Sequence, residues 1–422
     1  MTQVPPVSPA RPRLLYVTQW FDPEPTANKG LAFAERLHAL GFEVEVVTGF
    51  PNYPGGKVYE GYTIRPMDRR QVGNVLLTRL PLYPSHDSSR IGRSLNYLSF
   101  FASVLVYLTC FARRSDVILA YHPPIMVAVA AALAGFVRRI PVVVDVQDMW
   151  PDTLRATGMI SSERLLALIG RVCRWTWRRM DRVIAQSEGF RRLLIERGVA
   201  PARVRVIHNW GDHIETGGVA PAPPAAFAEP GPFRVLFAGN LGRAQGLDTV
   251  LDAAAHLAQA HPRIAFCLLG DGLETERLKQ AAAARGLANV QFLPRVAKAE
   301  VGPWLAAADV LLVHLKDDPL FAITVPSKTQ AYLAAGRPIL MAVAGDGADM
   351  LRASGAGLAV PPEDSAALAA AVLQLAALDP AERALMGERG RAFYERELSF
   401  DKGTQAFAEV LYAAIADYGK DM

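Results

Sequence analysis

Short apolar runs along the chain alternate with longer segments in which apolar residues recur every three or four positions. Between the first two runs, Phe33, Leu37 and Leu40 have helical spacing, and Gly41 stands where it can end that helix. Short strands that alternate with helices predict a parallel sheet covered on both faces. The runs with strand character in the first half of the chain are 14–18, 43–48, 75–78, 117–120, 142–146, 183–185 and 204–207.

One segment, 213–232, interrupts this alternation. It contains five prolines and three glycines in twenty residues and shows no periodicity, which indicates a linker. The pattern predicts an α/β architecture of two doubly wound, Rossmann-like domains that face each other across a cleft, at 13–212 and 233–399. A loose Pro-rich tail, 1–12, precedes them, and a helical segment, 400–422, is expected to pack back on the first domain. The strands predicted after the linker are 234–238, 264–269, 290–293, 310–313, 338–342 and 358–360.

Composition narrows the functions open to the 422-residue chain. Its 45 Lys and Arg side chains nearly balance 41 Asp and Glu side chains, which argues against wholesale nucleic-acid binding. The three cysteines lie far apart, so neither a disulfide scaffold nor a zinc ribbon is indicated. The sequence also contains no Asp-x-Asp motif, and no metal held by such carboxylates is expected.

Two stretches have the composition of membrane-contacting segments. Residues 94–112 are rich in aromatic side chains, and 171–182 combine five arginines with two tryptophans. The alternative for the first is a helix buried against the sheet, and the alternative for the second is a solvated basic helix. The apolar run 95–111 is interrupted by polar residues and falls short of roughly 20 apolar positions, so no membrane-spanning helix is predicted.

Two glycine loops and one helix N-terminus in the second predicted domain are suited to anions. The first loop is Gly239-Asn240-Leu241-Gly242-Arg243-Ala244-Gln245-Gly246, and the second is Gly270-Asp271-Gly272. Glycines let the backbone approach an anion, and Arg243 adds a charged fork that fits phosphate. Pro326, Ser327 and Lys328 begin a helix, for which Ser327 is the expected N-cap. An ordinary turn is the alternative for the first loop alone, but two such features favour a diphosphate ligand.

In the first predicted domain, polar residues follow two strands. His122 comes directly after the strand at 117–120, and Asp148 follows the strand at 142–146. Ligands of doubly wound sheets bind beyond the carboxyl ends of the strands. His122 is therefore either a core histidine or a ligand contact, and Asp148 is either a turn residue or a contact to ligand hydroxyl groups.

Several segments together resemble the family 4 glycosyltransferases, which have the two-Rossmann GT-B fold. The resemblance extends over essentially the whole chain from Leu14, and it points to bacterial transferases that build O-antigen, capsule or exopolysaccharide units, including the L-fucosamine transferase type. The segments that carry it are Thr48-Gly-Phe-Pro-Asn-Tyr-Pro-Gly55, Asp148-Met-Trp-Pro151, Val206-Ile-His-Asn-Trp210, the loop from Gly239 to Gly246, and 326–338.

This resemblance implies an enzyme that transfers a sugar, with retention, from a nucleotide-diphosphate sugar. UDP-sugars are the favoured donors, and neither a metal nor a resident cofactor is expected. The implied acceptor is a polyprenyl-diphosphate-linked saccharide used for bacterial surface polysaccharide. The enzyme would then be cytoplasmic and peripheral on the inner face of the cytoplasmic membrane, with no nucleic-acid partner.

The resemblance also implies roles for individual residues. Catalytic roles fall to His122, Asp148, Arg243 and Lys328, of which Arg243 and Lys328 would hold the leaving diphosphate. Acceptor-side contacts are implied for Asn28, Lys29 and Trp150. Donor-binding contacts are implied for Gly239, Asn240, Gly242, Gln245, Gly246, Gly270, Asp271, Gly272, Pro326, Ser327, Gln330 and Tyr332.

The chain departs from the family pattern at three positions. Many members carry two glutamates eight positions apart, where this chain has Ile323 and Ala331, and a lysine where it has Gln245. Ala331 removes a ribose contact, for which Gln330 or Ser327 is the expected substitute. Two alternatives therefore stand beside the transferase: a nucleotide-sugar-binding partner subunit with weak catalysis, and a sugar-nucleotide epimerase on the same fold.

Overall fold

A computed structural model describes residues 11–24, 29–85, 90–156, 158–211, 227, 231–297 and 300–420. The chain divides into two compact units. The first comprises Met1–Gln186, Phe190–Ile207 and Thr404–Met422, and the second comprises Ser187–Gly189 and His208–Gly403. The predicted tail, 1–12, and the predicted linker, 213–232, lie largely outside the described residues.

The first unit is built on an eight-stranded sheet in the order β3-β4-β2-β1-β5-β6-β7-β8, counted over the described residues. Every neighbouring pair is parallel except β3 with β4, as the alternation of strands and helices predicts for the rest of the sheet. The strands are β1 (Arg13–Val17), β2 (Glu43–Gly49), β3 (Asp68–Val72), β4 (Val75–Leu80), β5 (Val117–His122), β6 (Val142–Val146), β7 (Arg182–Ala185) and β8 (Val204–Val206).

Helices connect these strands and cover the sheet. Gly41 has φ of +106°, so it follows α1 in the left-handed conformation that the sequence predicts for a helix end. Ser162 caps α5, and its hydroxyl accepts a hydrogen bond from Leu165 N. The helices are α1 (Leu31–Ala39), α2 (Arg90–Val106), α3 (Ile125–Arg138), α4 (Asp152–Ala156), α5 (Glu163–Arg179) and α6 (Glu188–Glu196).

The second unit has a parallel sheet in the order β11-β10-β9-β12-β13-β14. Side chains on its two faces enter two separate hydrophobic clusters: Val235 and Phe237 belong to one, and Leu236 and Ala238 belong to the other. Burial on both faces explains why these strands are continuous apolar runs in the sequence. The strands are β9 (Phe233–Ala238), β10 (Ile264–Leu269), β11 (Val290–Leu293), β12 (Val310–His314), β13 (Ile339–Ala342) and β14 (Gly357–Val360).

The described helices of the second unit follow its strands in alternation. Gly336 ends α11 with φ of +68°, in the left-handed region that favours glycine. A short 3₁₀ turn, Arg243–Gln245, lies in the loop after β9. The helices are α7 (Asp248–Leu257), α8 (Thr275–Ala284), α9 (Val301–Ala307), α10 (Pro319–Ala322), α11 (Lys328–Ala335), α12 (Asp346–Ser354), α13 (Ser365–Ala377) and α14 (Pro380–Phe393).

The last helix, α15 (Phe400–Tyr418), contributes to the first unit from Thr404 onward. The Phe407 ring packs edge-on against Phe33, with the ring centroids 5.2 Å apart. The Tyr412 hydroxyl donates a 3.0 Å hydrogen bond to the carbonyl of Leu40 at the end of α1. The end of the chain therefore completes the packing of the first unit around α1.

The helix after β4 is longer than the sequence analysis allows. A π-helical turn, Tyr107–Phe111, continues α2, and the continuous helix Ile91–Phe111 has 21 residues. By length and composition this helix could cross a membrane, although core helices of soluble proteins pass the same test. The polar residues Asn96 and Ser99 therefore do not interrupt the helix, but one helix of this length and composition is weak evidence for a membrane span.

Candidate functional site

The glycine loops after β9 and β10 lie against each other in the second unit. Gly239 has φ of +145° and Gly270 has φ of +137°, which are conformations that side chains disfavour. A Cβ atom on Gly270 would lie 2.0 Å from the carbonyl oxygen of Gly239. A Cβ atom on Gly239 would lie 3.1 Å from the Nζ atom of Lys328. Glycine at both positions therefore lets these loops and the lysine converge.

Lys328, the first residue of α11, ends beneath the Gly239 loop. Its stem is partly exposed, but its Nζ atom is buried and has no hydrogen-bond partner in the described part of the chain. The ammonium lies 3.4 Å from the centroid of the Phe237 ring, where the face of the ring attracts a cation. Burial lowers the pKa of Lys328 to about 7. A bound anion would supply the negative charge that this cation lacks.

Two further predicted residues lie on α11 with buried polar atoms. The Tyr332 hydroxyl accepts a 2.9 Å hydrogen bond from Ala238 N and contacts Ala238 O at 3.2 Å, so it ties α11 to the end of β9. Burial raises its pKa. The Oε1 atom of Gln330 is buried without a partner among the described residues. Tyr332 thus positions the helix, whereas Gln330 retains an unused acceptor.

The residues before α11 occupy the predicted positions with one difference. Ser327 is the N-cap residue, but its hydroxyl makes no capping hydrogen bond. The Ser327 side chain is exposed and Pro326 is half-buried. The backbone N–H groups at the start of α11 are therefore not covered by the Ser327 hydroxyl.

Arg243 differs from Lys328 in its exposure and in its contacts. Its side chain is 84% exposed, and its Nε atom donates a 3.3 Å hydrogen bond to Glu274. The same carboxylate accepts a 2.6 Å hydrogen bond from Arg277. A cavity of about 250 Å³ is lined by Gly242, Arg243, Gly246, Leu247, Asp248, Glu274, Arg277, Leu278 and Lys316.

Gln245 closes the loop around itself, and it contacts a histidine that the sequence analysis missed. Its side-chain oxygen accepts a 3.1 Å hydrogen bond from Gly242 N. Its backbone oxygen lies 2.7 Å from His314 Nδ1, which must donate because a carbonyl oxygen only accepts. His314 Nε2 is buried without a partner in the described residues, and burial lowers the pKa of His314. The position of His314 at the end of a predicted strand was the one sequence feature that could have indicated it.

The second glycine loop serves mainly to shape the turn. The Asp271 carboxylate accepts hydrogen bonds of 2.8 Å from Gly272 N and from the Thr275 hydroxyl, and these hydrogen bonds lower its pKa. Leu241 N donates to the backbone oxygen of Asp271 at 3.0 Å, which joins the two loops. Asn240 is exposed on the first loop. Asp271 therefore fixes the loop in which Gly270 and Gly272 lie.

In the first unit, the structure brings His122, Trp150 and Asp148 together. The Trp150 ring packs edge-on against His122 with centroids 5.8 Å apart, and its Nε1 atom donates a 3.3 Å hydrogen bond to Asp148. Asp148 also accepts a hydrogen bond from the Thr153 hydroxyl. Burial raises the pKa of Asp148. These three residues, predicted separately, form one polar cluster after β5 and β6.

His122 is fully buried at the end of β5. Neither of its ring nitrogens has a hydrogen-bond partner among the described residues. Burial lowers its pKa to about 3, so the imidazole is neutral at ordinary pH. A neutral ring with two unused nitrogens can both donate to and accept from a ligand hydroxyl group.

Lys29 is buried in an ion pair, and Asn28 lies outside the described residues. Lys29 Nζ lies 2.9 Å from a carboxylate oxygen of Asp145, and both side chains are almost fully buried. The other Asp145 oxygen accepts a 2.6 Å hydrogen bond from Gln147. Burial lowers the pKa of Lys29, and Asp145 opposes that shift.

A buried polar network, which the sequence analysis missed, holds the loop after β2. Glu24 accepts 2.9 Å hydrogen bonds from the backbone N–H groups of Asn52 and Tyr53. Gln19 donates a 2.6 Å hydrogen bond to Asn96 on α2, and Asn96 donates a 3.2 Å hydrogen bond to Asn52. The partners are separated by up to 77 positions, so no local pattern could show this network.

No group of three or more His, Cys, Asp or Glu side chains within the described ranges is arranged to hold a metal ion. The charged groups around the glycine loops instead include the unpaired ammonium of Lys328. The chemistry that this arrangement supports directly is electrostatic stabilisation of an anion.

Comparisons with known proteins identify the class. A glycosyl transferase 4-like domain model matches residues 31–210, and a glycosyl transferases group 1 model matches 232–377. The fold of the two units is that of the GT-B glycosyltransferases. The chain belongs to the family 4 glycosyltransferases and is a glycosyltransferase enzyme.

Two bacterial glycosyltransferases and one solved structure are similar to this chain over most of its length. The chain is 30% identical over 314 residues to WbjE of Pseudomonas aeruginosa, named as a glycosyltransferase, covering 70% of this chain and 75% of that protein. It is 30% identical over 352 residues to WcaI of Escherichia coli K12, named as a colanic acid biosynthesis glycosyl transferase, covering 81% and 86%. The crystal structure of HepE from Anabaena in complex with UDP superposes with a TM-score of 0.70 at 20% identity, covering 95% and 100%.

Proposed function

We propose that this enzyme transfers a sugar, with retention, from a UDP-sugar to a polyprenyl-diphosphate-linked saccharide during bacterial surface polysaccharide synthesis. The observation that carries the donor side is the buried, unpaired ammonium of Lys328 beneath the Gly239 loop. The UDP bound to HepE and the colanic acid assignment of WcaI support the nucleotide and the pathway class. The acceptor follows from the resemblance to transferases of surface polysaccharides.

The donor-side residues would act on the leaving diphosphate. Negative charge grows on that group as the bond to the sugar breaks, and Lys328 lies where a fixed positive charge can meet it. The N–H groups at the start of α11 add their dipole to the same anion. Because Gly239 and Gly270 themselves carry no side chains, the phosphates can approach the backbone closely at these two positions.

The residues in the first unit would orient the transferred sugar and the acceptor. His122 stays neutral because its pKa is about 3, so it offers hydrogen bonds to sugar hydroxyl groups and no charge. Asp148, held by Trp150 and Thr153, presents a fixed carboxyl group on the acceptor side. Trp150 joins the two and fixes their relative positions.

Activity of a Lys328→Met variant tests this proposal. Purified protein is supplied with a panel of UDP-sugars and a polyprenyl-diphosphate-linked saccharide, and the release of UDP is measured. We expect Lys328→Met to lower kcat/KM roughly 10²–10³-fold, the effect of losing one charge-stabilising group. The control is Lys279→Met, because Lys279 lies largely exposed on α8, where its ammonium pairs with Glu276.

Three results would contradict parts of the proposal. Equal kcat/KM in wild-type and Lys328→Met protein would remove the lysine from the diphosphate site. A product whose anomeric configuration, read by NMR, is opposite to that of the donor would exclude retention. Release of UDP only with soluble saccharides would exclude a lipid-linked acceptor.

A partner subunit with weak catalysis is the second candidate, and Ala331 favours it. The alanine stands on α11 where many family members carry a ribose-binding glutamate. The nearby Gln330 oxygen, buried without a partner in the described chain, is the substitute that the structure offers. Binding of UDP without turnover on any donor and acceptor would support the partner subunit, and product formation without an acceptor would indicate an epimerase.

A further inference from the structure

The solvent-facing side of α2 carries a stripe of apolar residues. Ile91 is 75% exposed, and Leu95, Leu98 and Val106 are each about half exposed. These residues follow one another at intervals that place them on one helical stripe, which Ala102 continues. A surface helix of a globular protein normally turns polar residues toward solvent.

Three polar residues of α2, Asn96, Ser99 and Ser103, face the protein. Asn96 is buried and bonds to Gln19 and to the backbone oxygen of Tyr83. The Ser99 hydroxyl accepts a 2.8 Å hydrogen bond from Tyr83 N, and Ser103 donates a 2.7 Å hydrogen bond to Pro81 O. These three polar side chains are therefore satisfied inside the protein, whereas Leu95 and Leu98 are left outside.

Two neighbouring helices extend the apolar surface. α2 and α3 pack together, and α3 packs against α5. The Arg138 side chain at the end of α3 donates a 2.8 Å hydrogen bond to Leu108 O in the π-helical turn that continues α2. The outward face of these three helices is called the α2–α3–α5 face here. Its other exposed large apolar residues are Phe111, Phe136, Val137, Leu165, Leu168 and Trp175.

The two tryptophans of the stretch 171–182 differ in exposure. Trp175 is exposed, and the Arg179 guanidinium lies 4.9 Å from its ring centroid. Trp177 is fully buried and belongs to the core. Only Trp175 can therefore contact a partner, and a change at Trp177 would report on folding.

Charge on the α2–α3–α5 face selects its occupant. The sequence from 88 to 115 contains four arginines and no acidic residue, and 125–139 contains two arginines and no acidic residue. The exposed arginines of α5 add further positive charge. A second copy of this face would bring arginines against arginines, whereas an anionic lipid surface complements them.

We propose that the α2–α3–α5 face docks on an anionic lipid bilayer, with α2 lying in the plane of the interface. A helix of this kind buries its apolar side at the boundary of headgroups and acyl chains. Spanning is disfavoured because the inner side of α2 is packed through Phe100 and Val104 and bonded through Asn96. The inference deepens the proposed function, because it names the surface that brings the enzyme to a lipid-linked acceptor.

Flotation with vesicles tests this docking. Full-length protein is mixed with one of two kinds of vesicle, without donor or acceptor. One kind contains phosphatidylcholine alone, and the other also contains about 30 mol% phosphatidylglycerol, enough for a strong surface potential. We expect binding to the anionic vesicles only, released by high salt because the arginines contribute. The double variant Leu95→Ser/Leu98→Ser should bind at least about tenfold more weakly.

Matched variants keep the test specific. Leu385→Ser removes a leucine that is as exposed as Leu95, at 46%, but lies on α14 of the second unit, and should bind like wild type. Arg113→Gln/Arg114→Gln should weaken binding to anionic vesicles and reduce its salt dependence. Circular dichroism and thermal denaturation check that each variant is folded.

Three outcomes would overturn the docking. These are failure of wild-type protein to float with anionic vesicles, unchanged binding of Leu95→Ser/Leu98→Ser, and retention of the protein on the vesicles in high salt and carbonate, which indicates a spanning helix. A concentration-dependent dimer that Leu95→Ser abolishes, without vesicle binding, would assign the face to a second copy. Because the vesicles contain neither substrate, these results are independent of the transfer activity.

Discussion

Lys29 and Lys328 are two buried lysines whose surroundings differ in one respect. Lys29 Nζ lies 2.9 Å from the Asp145 carboxylate, inside the first unit. Lys328 Nζ lies over the face of Phe237 and has no hydrogen-bond partner over the described ranges of the second unit. Burial lowers the pKa of both, but only Lys29 has a carboxylate that opposes the shift.

The difference lies in whether the protein itself supplies a negative charge for the buried ammonium. A buried charge costs several kcal/mol unless it is paired and hydrogen-bonded, so a fold retains an unpaired one only when something else is gained. Asp145 satisfies Lys29 within the protein itself. In the proposed function, the charge that satisfies Lys328 comes from the diphosphate, which would lie against the two glycine loops above this lysine.

The largest expected effect comes from removing the partner of Lys29. Asp145→Asn keeps the shape of the side chain but leaves the buried ammonium without a negative charge. We expect the free energy of unfolding of the first unit to fall by about 3–5 kcal/mol, measured by urea denaturation. The surface control is Asp252→Asn, whose 2.8 Å pair with Arg285 is half exposed, and which should cost about 0–1 kcal/mol.

The same urea denaturation of Lys328→Met gives the contrasting measurement. The substitution removes a buried cation without a partner, so the free energy of unfolding should stay constant or rise, although activity is lost. A loss of stability in Lys328→Met as large as that in Asp145→Asn would show that the two lysines play the same structural part, and the contrast between them would fail.

The second prediction uses the pKa of Lys328. The free enzyme releases the lysine proton as the pH rises through about 7, while a bound diphosphate favours the protonated form. UDP affinity should therefore fall by up to about tenfold per pH unit between pH 7 and pH 9, where UDP itself is fully ionised. Calorimetric titration of wild-type and Lys328→Met protein measures it, and the variant should lack this component.

Stability of the unliganded enzyme should change in the opposite direction. The folded pKa of Lys328 lies below the unfolded value of 10.5, so the unfolded state binds more protons between about pH 7 and 10.5. The lysine therefore costs most stability below pH 7, and that cost disappears as the pH rises. The difference in unfolding free energy between wild-type and Lys328→Met protein reports this term alone. A pH-independent difference would contradict the pKa.

Most strands could be predicted from the sequence because each is a short apolar run buried on both faces. The exception is β3, whose residues Asp68–Val72 are polar and largely exposed. Its backbone pairs antiparallel with β4 at the edge of the sheet, where one face meets solvent and no apolar pattern is needed. The length of α2 was also missed, because Asn96 reads as an interruption until its partners across the fold are known.

The candidate site could be predicted in part. The glycine loops, His122 at the end of its strand and the helix starting at Lys328 are local features, so the sequence shows them. Which atoms are satisfied is a property of the fold: Arg243 turned out to pair with Glu274, and Tyr332 with the backbone of Ala238. His314 lies beside Gln245 only because β9 and β12 are neighbours in the sheet.

The smallest expected effect on UDP binding comes from changing Arg243. This change tests whether an exposed cation contributes as much as the buried Lys328. Arg243 is 84% exposed and already paired with Glu274, so water and that carboxylate screen its charge. Arg243→Gln should weaken UDP binding less than tenfold, against the much larger loss for Lys328→Met, in the same calorimetric titration. Glu274→Gln is the informative companion, because releasing Arg243 should strengthen UDP binding if the arginine reaches the phosphates. If Arg243→Gln lowered UDP affinity as much as Lys328→Met does, solvent exposure would not determine how much a cation contributes to UDP binding. That result would also mean that the arginine leaves Glu274 when the nucleotide binds.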